Sequence, residues 1–182
     1  MKHYLLRLWS VLDPIYYFFT RLQYVCDSQQ HRTVFRVRLT RYKGSPVILQ
    51  DGTSIKKNDL LLKIHLHNVR IITEWYEVPS ELKRAVIIFP SVTRALPKLA
   101  EYVYEHNREQ DIKAIIGITS LFRSADRLGF EMMPIQNKWY RSFKRHSCRF
   151  IDLFADYRDR QEPAYLFMSK QQLFKNHMFN QE

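Results

Sequence analysis

Residues 112–119 read Ile-Lys-Ala-Ile-Ile-Gly-Ile-Thr, an almost unbroken apolar run. A strand with one face in water alternates apolar and polar residues, whereas a run without alternation fits a strand buried on both faces, in a parallel or central position, with helices packed over it. This run therefore predicts a layered domain of mixed α and β structure. A chain of 182 residues with only 4 Gly and 7 Pro has enough length for one domain with a full core, and little room for a second.

The pattern on either side agrees. Residues 33–42 alternate, with Phe35, Val37 and Leu39 on one side and Arg36, Arg38 and Thr40 on the other, which predicts a strand whose outer face is basic. Gly44-Ser45-Pro46 turns the chain. Residues 47–50 and 53–56 are predicted short strands on either side of the tight-turn pair Asp51-Gly52. Residues 60–67 alternate again, and 69–76 read as helix. A long helical pattern over 80–107 carries expected interruptions at Pro90 and Pro97. After the apolar run, Thr119 or Ser120 can cap a short helix containing Leu121, Phe122, Ala125 and Leu128, closed by Gly129 in the left-handed conformation. Strands at 130–135 and 164–168 follow, and Ser169 with Gln172 makes a capping-box pattern opening a terminal helix.

Residues 1–28 stand apart as a predicted amphipathic helical segment ahead of a single α/β domain over 29–182. Leu5, Leu8, Trp9, Leu12, Ile15, Tyr16, Phe19 and Leu22 recur at helical spacing, and Asp13-Pro14 suits a helix start. Arg7, Asp13 and Arg21 break the segment below the roughly 18 uncharged residues that a membrane span needs, and no cleavage site of an export signal follows. Its apolar face is expected to pack on the domain, on a partner protein or in a lipid interface.

Charge narrows the partners. There are 29 Lys and Arg against 18 Asp and Glu, and the excess of +11 divides as +6 over residues 1–43, +1 over 44–116 and +4 over 117–182. Basic ends favour an anionic polymer or an anionic membrane surface, although solubility alone also accounts for such a field. Nucleic acid is the weaker candidate, because no recognised nucleic-acid module is present. Arg36, Arg38, Lys138, Arg141, Lys144 and Arg145 are the candidate anion-binding residues. The last four belong to a stretch with Trp139, Tyr140 and Phe143 that holds no acid. It is read first as a surface helix with Trp139 and Phe143 turned inward, and otherwise as a stacking or lipid-facing surface. Only Cys26 and Cys148 occur, which excludes a disulfide scaffold and fits a reducing compartment.

For chemistry, His65 and His67 share one face of a strand with Cα atoms about 7 Å apart, close enough to converge on one ligand. A metal would need a third donor, and Asp59, Glu74, His106 and His146 stand at no diagnostic spacing, while Lys63 on the same face repels a cation. Asp126 and Glu131, flanking Gly129, are carboxylates that could do acid/base work. These four, His65, His67, Asp126 and Glu131, make up the candidate cleft. No Gly-x-Ser-x-Gly element, P-loop or His-Glu-x-x-His motif is present, and no nucleophile is specified.

Two resemblances follow from the motifs. Gly117-Ile118-Thr119-Ser120-Leu121 and Ala125-Asp126-Arg127-Leu128-Gly129-Phe130-Glu131, with Asp51-Gly52-Thr53 and Leu66-His67-Asn68 upstream, resemble the YkoP-like domain over roughly residues 32–175. That domain occurs alone in Bacillus-type spore formers or joined to polysaccharide deacetylases. The resemblance implies an accessory or binding module in bacterial cell-envelope polysaccharide metabolism, and no defined chemistry. The same Ala-x-x-Leu-Gly-Phe-Glu string is similar to the end of GNAT-type N-acyltransferases, over residues 112–170. This implies a GNAT-like mixed sheet and, as an alternative function, an atypical acyltransferase. The pyrophosphate-cradling Arg/Gln-x-x-Gly-x-Gly/Ala loop of that family is missing, with no glycine from Thr53 through Ile116, so no cofactor is expected. An anionic-polymer or nucleic-acid binder is the third reading. The expected location is the cytoplasm, with peripheral membrane contact as a variant.

Overall fold

The computed structural model describes residues 21–66, 81–119, 125–155 and 162–178, with side chains described outside 81–88 and 147–155. Six strands form one mixed sheet: β1 (Gln23–Cys26), β2 (Arg32–Arg41), β5 (Leu60–Leu66), β6 (Ile112–Thr119), β8 (Ala164–Ser169) and β7 (Glu131–Pro134), in that spatial order. β3 (Val47–Ile48) and β4 (Ser54–Ile55) form a separate hairpin. All neighbours in the large sheet are antiparallel except β5 and β6. A parallel pair needs a crossover, and the helix α1 (Glu81–Tyr104) lies within it. The apolar run is β6, between β5 and β8 and buried except at Lys113 and its last two residues. The fold is therefore the mixed α/β layering that this run predicts.

The first face of the sheet is apolar throughout. Phe35, Val37, Leu62, Ile115 and Met168 meet Val92, Leu96, Leu99 and Val103 of α1 and Leu173 of α3 (Lys170–His177) in one buried cluster. Each such side chain contributes about 1.5–3 kcal/mol on burial. That packing explains why α1 runs unbroken through Pro90 and Pro97, where interruptions were expected. The missing backbone donors cost about 3 kcal/mol or more each, and the apolar face docked on the sheet offsets this. α3 begins as its capping pattern predicts: the Gln172 N–H donates to Ser169 Oγ at 2.9 Å. Gln172 does not complete the box, since its amide donates to Asn176 Oδ1 instead.

The second face is divided. One half is covered by the β3–β4 hairpin, where Leu49 and Ile55 with Tyr42 pack on Leu61, Ala114, Ile116 and Phe167. The hairpin turns at Gly52, whose φ of 85° suits a residue without Cβ. Two carboxylates tie it down: Ser169 Oγ donates to Asp51 Oδ2, and Glu131 accepts the Gln50 N–H at 2.9 and 3.1 Å. The other half carries Arg36, Arg38, Lys63 and His65 and faces α2 (Lys138–Ala155).

Several expectations change here. Residues 23–26, the described end of the predicted helical segment, are strand β1, paired to β2. Residues 1–20 lie outside the described residues, as do 69–76 and most of the short helix after Thr119. Of that short helix, a 3-10 turn at Asp126–Leu128 is described, closed by Gly129 at φ 86° as expected. The predicted outer basic face of β2 is not open: Arg36 is only 3% exposed, its guanidinium under the Tyr24 ring at 4.9 Å and donating to the Tyr24 hydroxyl at 2.7 Å. The cause is β1, which adds outside β2 and places Tyr24 opposite Arg36.

Because Ile115 is fully buried against α1 in the central strand, Ile115→Asp is expected to leave no cooperative thermal transition by circular dichroism. An unpaired buried carboxylate costs several kcal/mol, comparable to a domain's whole stability of about 5–15 kcal/mol.

Candidate anion-binding cleft

β5 and β6 run side by side only as far as the pair Lys63–Ile116. Beyond it, residues 64–66 pair with β2 and residues 117–119 pair with β8, and although Ile64 still packs against Gly117, the ladder between β5 and β6 ends there, a fork in the pairing at their carboxyl ends. In open sheets this is where a crevice forms. On the second face, next to this fork, a cavity of about 620 Å³ lies between the β3–β4 hairpin and the start of α2. Lys63, Ile116 and Ile118 line it from the sheet, Tyr140 from α2, Tyr165 from β8 and Tyr42 from the end of β2. The aromatic wall is packed: Tyr140 stacks on Tyr165 at 6.4 Å, and Tyr42 meets Tyr165 edge-on at 6.3 Å. The Tyr42 hydroxyl donates to the Ser45 carbonyl at 2.9 Å, and Gly44 leaves room for it, since a Cβ there would collide with the Tyr42 ring.

Lys63 is the group without compensation. It is half-buried, yet among the described residues no carboxylate or hydrogen-bond acceptor meets it. Lys170, also half-buried, is paired with Glu109 at 2.6 Å. Lys63 instead faces cations: Arg38 stands opposite it on β2, and Lys144 reaches in from α2, its ammonium 5.4 Å from the Tyr140 ring centre. Burial, then the charges of Lys144 and Arg38, push the Lys63 amine down to about 8. Burial also pushes the Tyr165 hydroxyl up to about 12, helped by Tyr140 and Tyr42, and raises Tyr140 as well. His65, two residues along the same face, is neutral: burial and the surrounding Lys63, Arg38, Lys144 and Arg36 push its imidazole down to about 3. Its Nε2 is sealed and has no hydrogen-bond partner among the described residues.

The predicted site residues divide accordingly. Arg38, Lys144 and His65 converge on Lys63. Arg36 is held beneath Tyr24, and Arg141 and Arg145 are engaged by Glu162, the first at 3.8 Å. Lys138 is exposed at the start of α2. His67 lies outside the described residues. Asp126 and Glu131 do not join His65: Asp126 is exposed in its 3-10 turn, and Glu131, engaged by Gln50, stands three strands from Lys63 along one row, about 14 Å away. Of the candidate cleft's described members, Asp126 and Glu131 therefore do not assemble with His65, because the strand order places β7 at the sheet's far edge. Among the described residues no three His, Cys, Asp or Glu side chains group as metal ligands, and Asp59 is paired with Lys113 at 2.9 Å.

Trp139 and Phe143 do not turn inward; they are 89% and 62% exposed. Tyr140 and Lys144 occupy the inner face of α2 instead, because stacking on Tyr165 fixes the helix's rotation. Lys63, Tyr140 and Tyr165 line the cleft without having been among the sequence-predicted site residues. A lysine inside an otherwise apolar strand, on the same face as a histidine, was a signal for the first. Tyr140 and Tyr165 are 25 residues apart and carried none.

Fold and cleft together define a mixed α/β domain with a cationic, tyrosine-walled cleft at a parallel-strand fork, and with no helix among the described residues long and apolar enough to cross a membrane. The chain belongs to the YkoP domain family, whose model matches residues 2–177, reaching well upstream of residue 32 where the motif resemblance began. It is 42% identical over 181 residues to a Bacillus subtilis (strain 168) protein described as uncharacterised protein YkoP, a match covering 97% of this chain and 98% of that one. No solved structure matches it significantly.

The sealed, neutral His65 sets an acid sensitivity. Its imidazole takes up a proton near 6.5 when unfolded and only near 3 when folded, so the unfolded state binds more protons between these values. Its contribution is complete above pH 6.5 and declines as pH falls, by up to about 1.4 kcal/mol per pH unit. Urea unfolding at pH 7 and pH 5 is expected to show this loss, and His65→Phe is expected to flatten it.

Proposed function

We propose that this domain is a binding module for a small anion with an apolar or aromatic body, held in the cleft between the hairpin and α2. The observation that carries this reading is Lys63, half-buried, flanked by Arg38 and Lys144 and facing a cavity with no counter-charge among the described residues. An anion there would compensate the half-buried Lys63 ammonium in a place where water screens charge poorly. Ile116, Ile118, Tyr140 and Tyr165 would cover an apolar body. The setting we infer, from the family resemblance, is accessory service to cell-envelope polysaccharide metabolism on the cytoplasmic side, with an acidic polymer end or an anionic membrane surface as the source of the anion. A second reading, an atypical acyltransferase, is favoured by one observation, the parting of β5 and β6 after Lys63 and Ile116. The missing glycine-rich loop weighs against it.

Titration calorimetry with 1-naphthyl phosphate at about 150 mM salt tests the first reading, because exposed charges are screened beyond roughly 8 Å there and a shaped site is not. Saturable binding is expected, weakened about tenfold or more, about 1.4 kcal/mol, in Lys63→Met and in Lys144→Met. Heat that vanishes with salt, or binding indifferent to both substitutions, would sink the reading. Acetyl-CoA in the same titration separates the rival: saturable binding at about micromolar strength in that salt would favour the acyltransferase.

A further inference from the structure

We propose that Lys63 is the covalent attachment point for an anionic aldehyde or ketone, captured as an imine at the fork of β5 and β6; this deepens the anion-binding reading and rests on it. Three observations converge. Lys63 stands on the last pair joining the parallel strands and lines a cavity of about 620 Å³. It differs in its partners from Lys98, Lys113 and Lys170, which pair with Glu101, Asp59 and Glu109 at 2.7, 2.9 and 2.6 Å. Its neighbours in charge are cations, Arg38 on the adjacent strand and Lys144 on α2. A half-buried lysine set among cations costs stability wherever it is placed, and of Arg38, Lys63 and Lys144 it is Lys63 that lines the cavity.

The chemistry follows from the same surroundings. Burial and the two cations hold the amine at about 8, so near neutral pH a useful share of it is the free base, the form that attacks a carbonyl. The described lining of the cavity adds Arg41, Lys43 and Lys57 to Lys63 and holds no carboxylate, which favours anionic carbonyl compounds over neutral ones. The Nζ lone pair forms a bond to the carbonyl carbon, and the carbonyl π pair moves to oxygen, which is protonated. Nitrogen gives up one proton to form the carbinolamine, the hydroxyl leaves as water after a second protonation to give a C=N iminium, and loss of the second nitrogen proton leaves the neutral imine. Amine and carbonyl thus give imine and one water, with no change of oxidation state. Tyr140 and Tyr165, held as neutral phenols well above neutral pH, line the same cavity as proton donors to the departing oxygen.

Reductive trapping on the wild-type protein tests this. The full chain is treated with glyoxylate, an anionic aldehyde, or with propionaldehyde, a neutral one, each with cyanoborohydride at pH 7 and about 150 mM salt. Modified lysines are then mapped by mass spectrometry. With glyoxylate, Lys63 is expected to be labelled at least about tenfold faster than the exposed Lys56, Lys138 and Lys175, a margin that corresponds to about 1.4 kcal/mol. The margin is expected to shrink with propionaldehyde, and with glyoxylate in Lys144→Gln. Labelling of Lys63 no faster than the exposed lysines overturns the proposal. If 1-naphthyl phosphate still binds that preparation saturably, the imine is lost and the anion-binding reading stands; if it does not, both fall.

Discussion

Burial of β6 on both faces is the constraint from which the rest of the structure follows. A strand with Ile115 pointing into one layer and Ile116 into the other needs covering above and below. Its neighbours must also satisfy its backbone on both edges, because buried N–H and C=O groups are rarely left unpaired. β5 does this on one side as far as Lys63, and β8 does it on the other. The parallel relation to β5 in turn requires a crossover long enough to hold α1, and that helix supplies the first layer. Among the described residues the second layer has no helix of comparable apolar character, and a two-stranded hairpin covers half of it, held to β7 by Glu131 and to the end of β8 by the Asp51–Ser169 contact.

The functional character of the domain comes from the unequal covering of the two faces. On the first, apolar helices meet an apolar sheet. On the second, the hairpin stops short, and the remaining ground is taken by cationic side chains beneath an amphipathic, basic helix. Desolvation then acts on groups that carry like charge: His65 gives up its proton, Lys63 approaches neutrality, and the tyrosines opposite are held as phenols. The parting of β5 and β6 lies directly beside this ground. A cavity, a fork and a cluster of cations coincide at one residue, which is why Lys63 rather than the more numerous surface arginines is the centre of the proposed site.

Legibility varied with the range of the interaction. Strand β6, the alternation of β2 and β5, the Asp51-Gly52 turn, the left-handed Gly129 and the Ser169 cap are local events governed by neighbours within a few residues, and each could be read. Pro90 and Pro97 misled because a local penalty was outweighed by distant packing. Trp139 and Phe143 misled for a related reason, since hydrophobicity favours an inward aromatic but cannot choose which of the three aromatics in the first two turns of the helix turns toward the sheet. Tyr140 stacks on Tyr165, and Trp139 and Phe143 lie on the exposed side of the helix.

The sequence by itself determined that this chain builds a layered α/β domain around one doubly buried strand, that it is basic, and, through its motifs, that it belongs with YkoP-like proteins. These are properties of composition and short-range periodicity, and they hold whatever the order of the strands. Only the tertiary structure decided which charges meet. Strand order separated Glu131 from His65 by placing β7 at the far edge, β1 shut Arg36 beneath Tyr24, and Glu162 engaged Arg141 and Arg145. The same long-range pairing brought Arg38, Lys63 and Lys144 together from three elements. Desolvation acts on the set of groups that share a cavity, and that set is fixed by topology rather than by spacing along the chain.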